Sequence, residues 1–191
     1  MQSRLSKISR EQLSDEQQVI LDSILASRGN LDGPFLAWIH SPGLAGPAQQ
    51  LGAFCRYHSQ LPLRLSELAI LVTAAWWQSQ AEWLIHAPIA LREGVPPEVV
   101  EALRLGQTPL FADDESALIY QIGQSLYQHK RIAPELYLQA VNCFGETALV
   151  ELIGIYGYYA LVAMTLNCFD MRPTSSTELP FDEPDTTSSS D

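Results

Sequence analysis

Basic residues are scarce in this chain. Eleven Lys and Arg stand against 22 Asp and Glu, a formal charge of −11, and the longest basic pair is Lys130-Arg131. Phosphate binding needs a basic face, so nucleic acid is excluded as an expected partner. Cysteine is equally sparse. Cys55, Cys143 and Cys168 are an odd number at wide spacings. Neither a disulfide framework nor a Cys-x-x-Cys redox or zinc motif can be drawn from them, and they read as small buried hydrophobes in a reducing compartment. The N-terminal stretch MQSRLSKISREQLSDEQQ lacks the apolar run that export requires, so the expected location is the cytoplasm. An alternating strand pattern of any length is also missing.

What is present is ordinary globular material. The 191 residues are 47% apolar and 17% charged, enough to bury a core in one domain. Residues 171–191, MRPTSSTELPFDEPDTTSSSD, hold one arginine and five acids in a Ser, Thr and Pro background. This composition predicts a disordered, solvated acidic tail behind a helical domain spanning 1–170. The first 170 residues keep a balance of −7.

Helical periodicity dominates that domain. Residues 11–27 place Leu13, Val19, Ile20, Leu21, Ile24 and Leu25 on one face, and Gly29 ends the run. Further helices are predicted over 44–59, closed by Leu61-Pro62, and over 64–78 and 80–93, with a short one from Pro96-Pro97-Glu98. Acids at 113–115 mark the start of another at 114–130, followed by 133–143 and 146–169. The predicted fold class is all-α.

The 18 uncharged residues from Leu152 to Phe169 reach the lower edge for a membrane span. Gly154, Gly157, three tyrosines, Thr165 and Asn167 lie among them, and acids flank both ends in place of Lys or Arg. A buried central or interface helix is apolar all round in the same way, so no membrane partner is expected.

One constellation carries possible chemistry. Glu82 and His86 are four apart and share a helix face, beside Trp76, Trp77 and Trp83. Glu67 is the only ionised group between Arg64 and Glu82, within an apolar run. A carboxylate buried there needs a partner, which His86 or Arg64 would supply. A structural Glu–His pair fits the same spacing. Glu-x-x-x-His also offers two metal ligands, with Glu67 or His58 as a third, but it lacks a signature spacing and no metal is expected.

The segment from Arg64 to Pro88 resembles the core of the carboxymuconolactone decarboxylase family, which also contains the alkylhydroperoxidase D-like proteins. The likeness rests on RLSELAIL, on Glu82-Trp83-x-x-His86-x-Pro88 and on the 19-residue spacing from Glu67 to His86. It extends through Gly33-Pro34-Phe35, His40-Ser41-Pro42, Gly145-Glu146 and the helix from Val150 to Phe169, covering residues 10–170. The resemblance implies an alkylhydroperoxidase D-like helical bundle that assembles as a homotrimer or homohexamer. The peroxidase branch carries Cys-x-x-Cys-x-x-x-His, with a glutamate 19 residues before the histidine in a proton relay. Counted back from His86, the two cysteine positions fall on Ser79 and Glu82. Neither gives a thiolate, so the thiol peroxidase mechanism is not expected.

What the resemblance leaves is proton transfer without a cofactor, as in the decarboxylase branch. It implies His86 as general acid or base, Glu67 as the group that orients it or relays its proton, and Glu82 as a second carboxylate. Arg64 is the nearest cation for a substrate carboxylate, or forms a structural ion pair. Trp77, Trp83, Tyr57 and Ser79 are the candidate pocket residues, the aromatics being equally suited to core or interface. Three functions follow: a lyase or isomerase for a small organic acid or lactone, a non-catalytic oligomeric ligand-binding protein, and a remnant of peroxide reduction.

Overall fold

The structure, a computed structural model, describes residues 1–173 and 178–183. Among them no strand forms, and a lone bridge joins Gln2 to Arg172. Eight α-helices follow a 3₁₀ turn at Arg10–Gln12: α1 Asp15–Arg28, α2 Phe35–Trp38, α3 Pro42–Tyr57, α4 Leu63–Trp76, α5 Gln80–Arg92, α6 Pro97–Arg104, α7 Asp114–His129 and α8 Pro134–Cys168. The all-α expectation is met.

Local chemistry explains the boundaries. Ser14 caps α1 by accepting from the Gln17 amide, and the Gln17 side chain returns the contact. Gly29 ends α1 in the left-handed region at φ 76°. Asp113 caps α7 through the Ser116 amide. α5 runs on through Pro88 to Arg92. The two predicted helices at 133–143 and 146–169 are joined end to end in α8, with Gly145 (φ 79°, ψ 165°) breaking the helical conformation between them.

α4 is the hub. Every residue from Leu65 to Ala74 is buried, because α5, α7 and α8 all pack against it. A helix with no solvent face needs no amphipathic pattern, which accounts for its near-continuous apolar sequence. Among the described residues, α8 is the helix long and apolar enough to cross a membrane, yet 56% of its most apolar stretch is buried within the protein.

The described part of the tail is packed, unlike the solvated extension its composition suggests. Phe181 is buried, its ring 5.2 Å from that of Trp83 in an edge-to-face contact. Gln80 donates to the Phe181 carbonyl at 2.7 Å and accepts from its amide at 3.0 Å. Arg172 bridges Asp170 and Glu183, each at 2.6 Å. One aromatic ring and a two-way amide clamp hold this acidic segment where composition alone gives no reason for order. Residues 174–177 and 184–191 of the expected tail lie outside the described residues.

Candidate active site

α4 and α5 are joined by a tight corner at residues 77–79, where Gln78 takes φ 46°. The corner folds α5 back along α4 and brings Glu67 against His86, 19 residues later. His86 Nδ1 lies 2.8 Å from Glu67 Oε2, and both side chains are buried. Of the two partners the sequence offers Glu67, the structure selects His86. With Nδ1 donating to the carboxylate, the Nε2 lone pair is left for acid–base work. The His86 ring also meets the edge of Tyr159 at 5.1 Å.

Glu82 lies one turn before His86 and is 1% exposed. Neither of its carboxyl oxygens has a hydrogen-bond partner among the described residues. Burial pushes its pKa well above the ordinary carboxylate value. Its place in the first turn of α5 favours an anion, but desolvation dominates, so the group is held as a neutral acid.

Glu82 and His86 share a cavity of about 40 Å³ with Arg28, Asp32, Phe35, Arg56, Tyr158 and Tyr159 among its lining residues. At about 10–15 Å³ per water, that is room for a group of a few heavy atoms. The two arginines come from the end of α1 and from α3 and were not anticipated from the sequence. Neither has a local motif; the available signal was only that both stand at helix ends in a chain poor in base. Tyr158 and Tyr159 were hidden in the apolar run of α8. The Tyr159 phenol is buried and pushed well above its ordinary pKa, first by desolvation and then by Glu67, which leaves it a neutral wall of the cavity.

The other expected pocket residues lie elsewhere. Arg64 is taken up by Ser116 at 2.6 Å, Asp113 at 3.3 Å and Glu115 at 3.6 Å, so of its two expected roles the structure shows the ion pair. Trp83 faces Phe181, and the Trp77 carbonyl accepts from Asn167 at 2.7 Å. Tyr57 is half exposed and lies beneath both cavity arginines. Ser79 is the buried residue preceding α5, with no partner for its hydroxyl among the described residues. Among the described residues no group of three or more His, Cys, Asp and Glu is placed to hold a metal ion. All three cysteines are free, none lines the cavity, and burial pushes the Cys55 thiol up to about 11.

No family model matches the sequence, and no curated protein does. Solved structures do match. A peroxidase-related protein from Ralstonia eutropha JMP134, described as an alkylhydroperoxidase AhpD core, superposes with a TM-score of 0.73 at 16% identity over 91% of this chain and 93% of its own. The fold is that of the alkylhydroperoxidase AhpD core. A peroxidase-related protein from Silicibacter sp. TM1040 gives 0.71 at 14% identity, covering 91% and 92%. A variant of the debrominase Bmp8 in complex with 2,3,4-tribromopyrrole gives 0.67 at 16% identity, covering 89% and 91%. The resemblance read from Glu67, Glu82 and His86 therefore agrees with the architecture. At these identities the AhpD-core likeness speaks for the fold and leaves the chemistry to the site.

Proposed function

We propose that this protein is a cofactor-free acid–base enzyme, a lyase or isomerase acting on a small organic acid or lactone. The observation that carries the reading is the buried 2.8 Å Glu67–His86 pair, which opens on a cavity shared with a neutral Glu82. An imidazole held by a buried carboxylate, beside a carboxyl group whose pKa burial raises, forms a working proton-transfer set. His86 Nε2 takes a proton from carbon, Glu67 holds the ring and stabilises the imidazolium, and Glu82 delivers a proton to the developing carbanion or enolate. For a decarboxylation the balance is equally simple. The C–CO2⁻ bond breaks, its electron pair stays on carbon, Glu82 protonates that carbon, and CO2 leaves.

The alternative is a non-catalytic, ligand-binding member of this fold, and the small size of the cavity favours it. Peroxide reduction finds no thiol at the cavity. Assembly as a homotrimer or homohexamer in the cytoplasm belongs to the same proposal. A pH–rate profile on candidate lactone acids decides between the readings. Turnover is expected to show ionisations that vanish in His86→Ala, with a rate loss of about 10²–10⁴. Turnover unchanged by His86→Ala sinks the enzymatic reading, and peroxide turnover surviving replacement of all three cysteines would restore the third.

A further inference from the structure

The arginines lining the cavity pack on aromatic rings but have no anionic partner that explains them. Among the described residues neither Arg28 nor Arg56 forms an ion pair, although the chain carries twice as many acids as bases. Arg28 Nε and Nη2 are buried and meet no acceptor among the described residues. A buried guanidinium N–H without an acceptor is costly, and the cost is larger for a charged group than for a neutral one. Several side chains hold the two guanidinia in place. Arg28 lies 4.8 Å from the Phe35 ring centre and 6.0 Å from that of Tyr57, and Arg56 lies 5.5 Å from the same Tyr57 ring. The half-exposed Tyr57 ring thus contacts both cations. On α3 the backbone makes room: a Cβ at Gly52 would overlap the Tyr158 hydroxyl and sit 3.0 Å from Arg28 Nη2.

We propose that Arg28 and Arg56 form the carboxylate-recognition subsite of this cavity, and that the carboxylate they hold is retained in the product. The inference rests on the acid–base reading of His86 and Glu82. Guanidinia lining one cavity suit a planar carboxylate, whose charge offsets their desolvation. Retention follows from where charge moves. In a decarboxylation, negative charge drains from the departing carboxylate to carbon. Two guanidinia on that carboxylate would stabilise the ground state over the transition state and slow the reaction. On a carboxylate that does not react, the same contacts anchor the substrate without that penalty. The substrate class is therefore either an organic monoacid rearranged by proton transfer or a diacid that loses its other carboxyl group as CO2.

The test is a titration of the whole protein with acetate, followed through the His86 ring resonances by NMR, with acetamide as the neutral isostere. Acetate is expected to shift those resonances saturably and acetamide is not. Arg28→Gln and Arg56→Gln should each weaken acetate by about tenfold, Arg28→Lys by less, and Arg64→Gln should leave it unchanged. Should Arg28→Gln fail to fold by far-UV circular dichroism, Arg56→Gln and Arg28→Lys decide the matter. Equal binding of acetate and acetamide, or acetate binding indifferent to both cavity arginines, overturns the subsite. The titration needs no turnover, so arginine-dependent binding by an inert protein removes the catalytic reading, and with it the retention of the carboxylate, and leaves the subsite standing. Turnover with arginine-independent binding removes only this proposal.

Discussion

Glu82 is the residue at which environment and chemistry are most tightly joined. Its ordinary pKa of 4.5 applies to the unfolded chain, and burial raises it well above that in the folded protein. Between the two values the folded state holds a proton that the unfolded state has released. Stability is therefore fully present at and below about pH 4.5 and declines as pH rises, by up to about 1.4 kcal/mol per unit, until Glu82 itself ionises. Glu82→Gln has no proton to lose. Its melting temperature relative to the parent is expected to climb between about pH 5 and pH 7.5, and a difference flat with pH would show that Glu82 is already ionised in the fold. At this scale the sequence was legible in part. The spacing of Glu67, Glu82 and His86 falls within two consecutive helices, and helical geometry alone nearly assembles it. Arg28 and Arg56 lie on α1 and α3, and no spacing rule links helices whose packing is not yet known. Arg64 looked like the available cation because it is near in sequence, but Asp113 and Ser116 had already claimed it.

The helices carry the site because their ends are sharply defined. The corner at 77–79 separates α4 from α5, and the break at Gly145 interrupts α8. Gly145 was readable as a boundary between two helices, since glycine interrupts a helix pattern. The structure bears this out: the chain leaves helical geometry at Gly145 alone between the two helical stretches of α8. At φ 79° and ψ 165° the Gly145 backbone is in a region open essentially to glycine alone. No atom would meet a Cβ there, so a substitution tests the backbone and nothing else. Gly145→Ala is expected to lose about 1–3 kcal/mol in urea denaturation with an unchanged slope. An alanine variant as stable as the parent would mean that the break is not imposed by the packing on either side. The tail misled at the same scale for the opposite reason. Its composition predicts a solvated extension, whereas its described residues are held by Phe181, which meets a tryptophan 98 residues away in sequence, and by the Gln80 amide.

On the scale of the whole molecule, α8 divides its apolar surface unequally. Leu152, Ile155, Tyr156, Tyr159, Val162 and Ala163 are buried in the core, while Val150, Ile153 and Met164 remain exposed. The exposed three, with Gly157, recur at intervals of three, four and seven residues, which on a helix makes one stripe. Nothing would meet a Cβ at Gly154 or Gly157, so another helix can approach that stripe closely. Val150 alone is 71% exposed, and burying such a side chain is worth about 1.5–3 kcal/mol. Repeated by symmetry, the stripe supplies a driving force for assembly that a monomer leaves unused. Sedimentation velocity at micromolar concentration is expected to give a trimer or hexamer. Val150→Glu, which sets like charges against each other wherever the stripe meets a copy of itself, should shift the protein toward the monomer while its far-UV spectrum stays helical. A parent that sediments as a monomer would count against assembly. An oligomer untouched by Val150→Glu would place the interface on another face of the bundle.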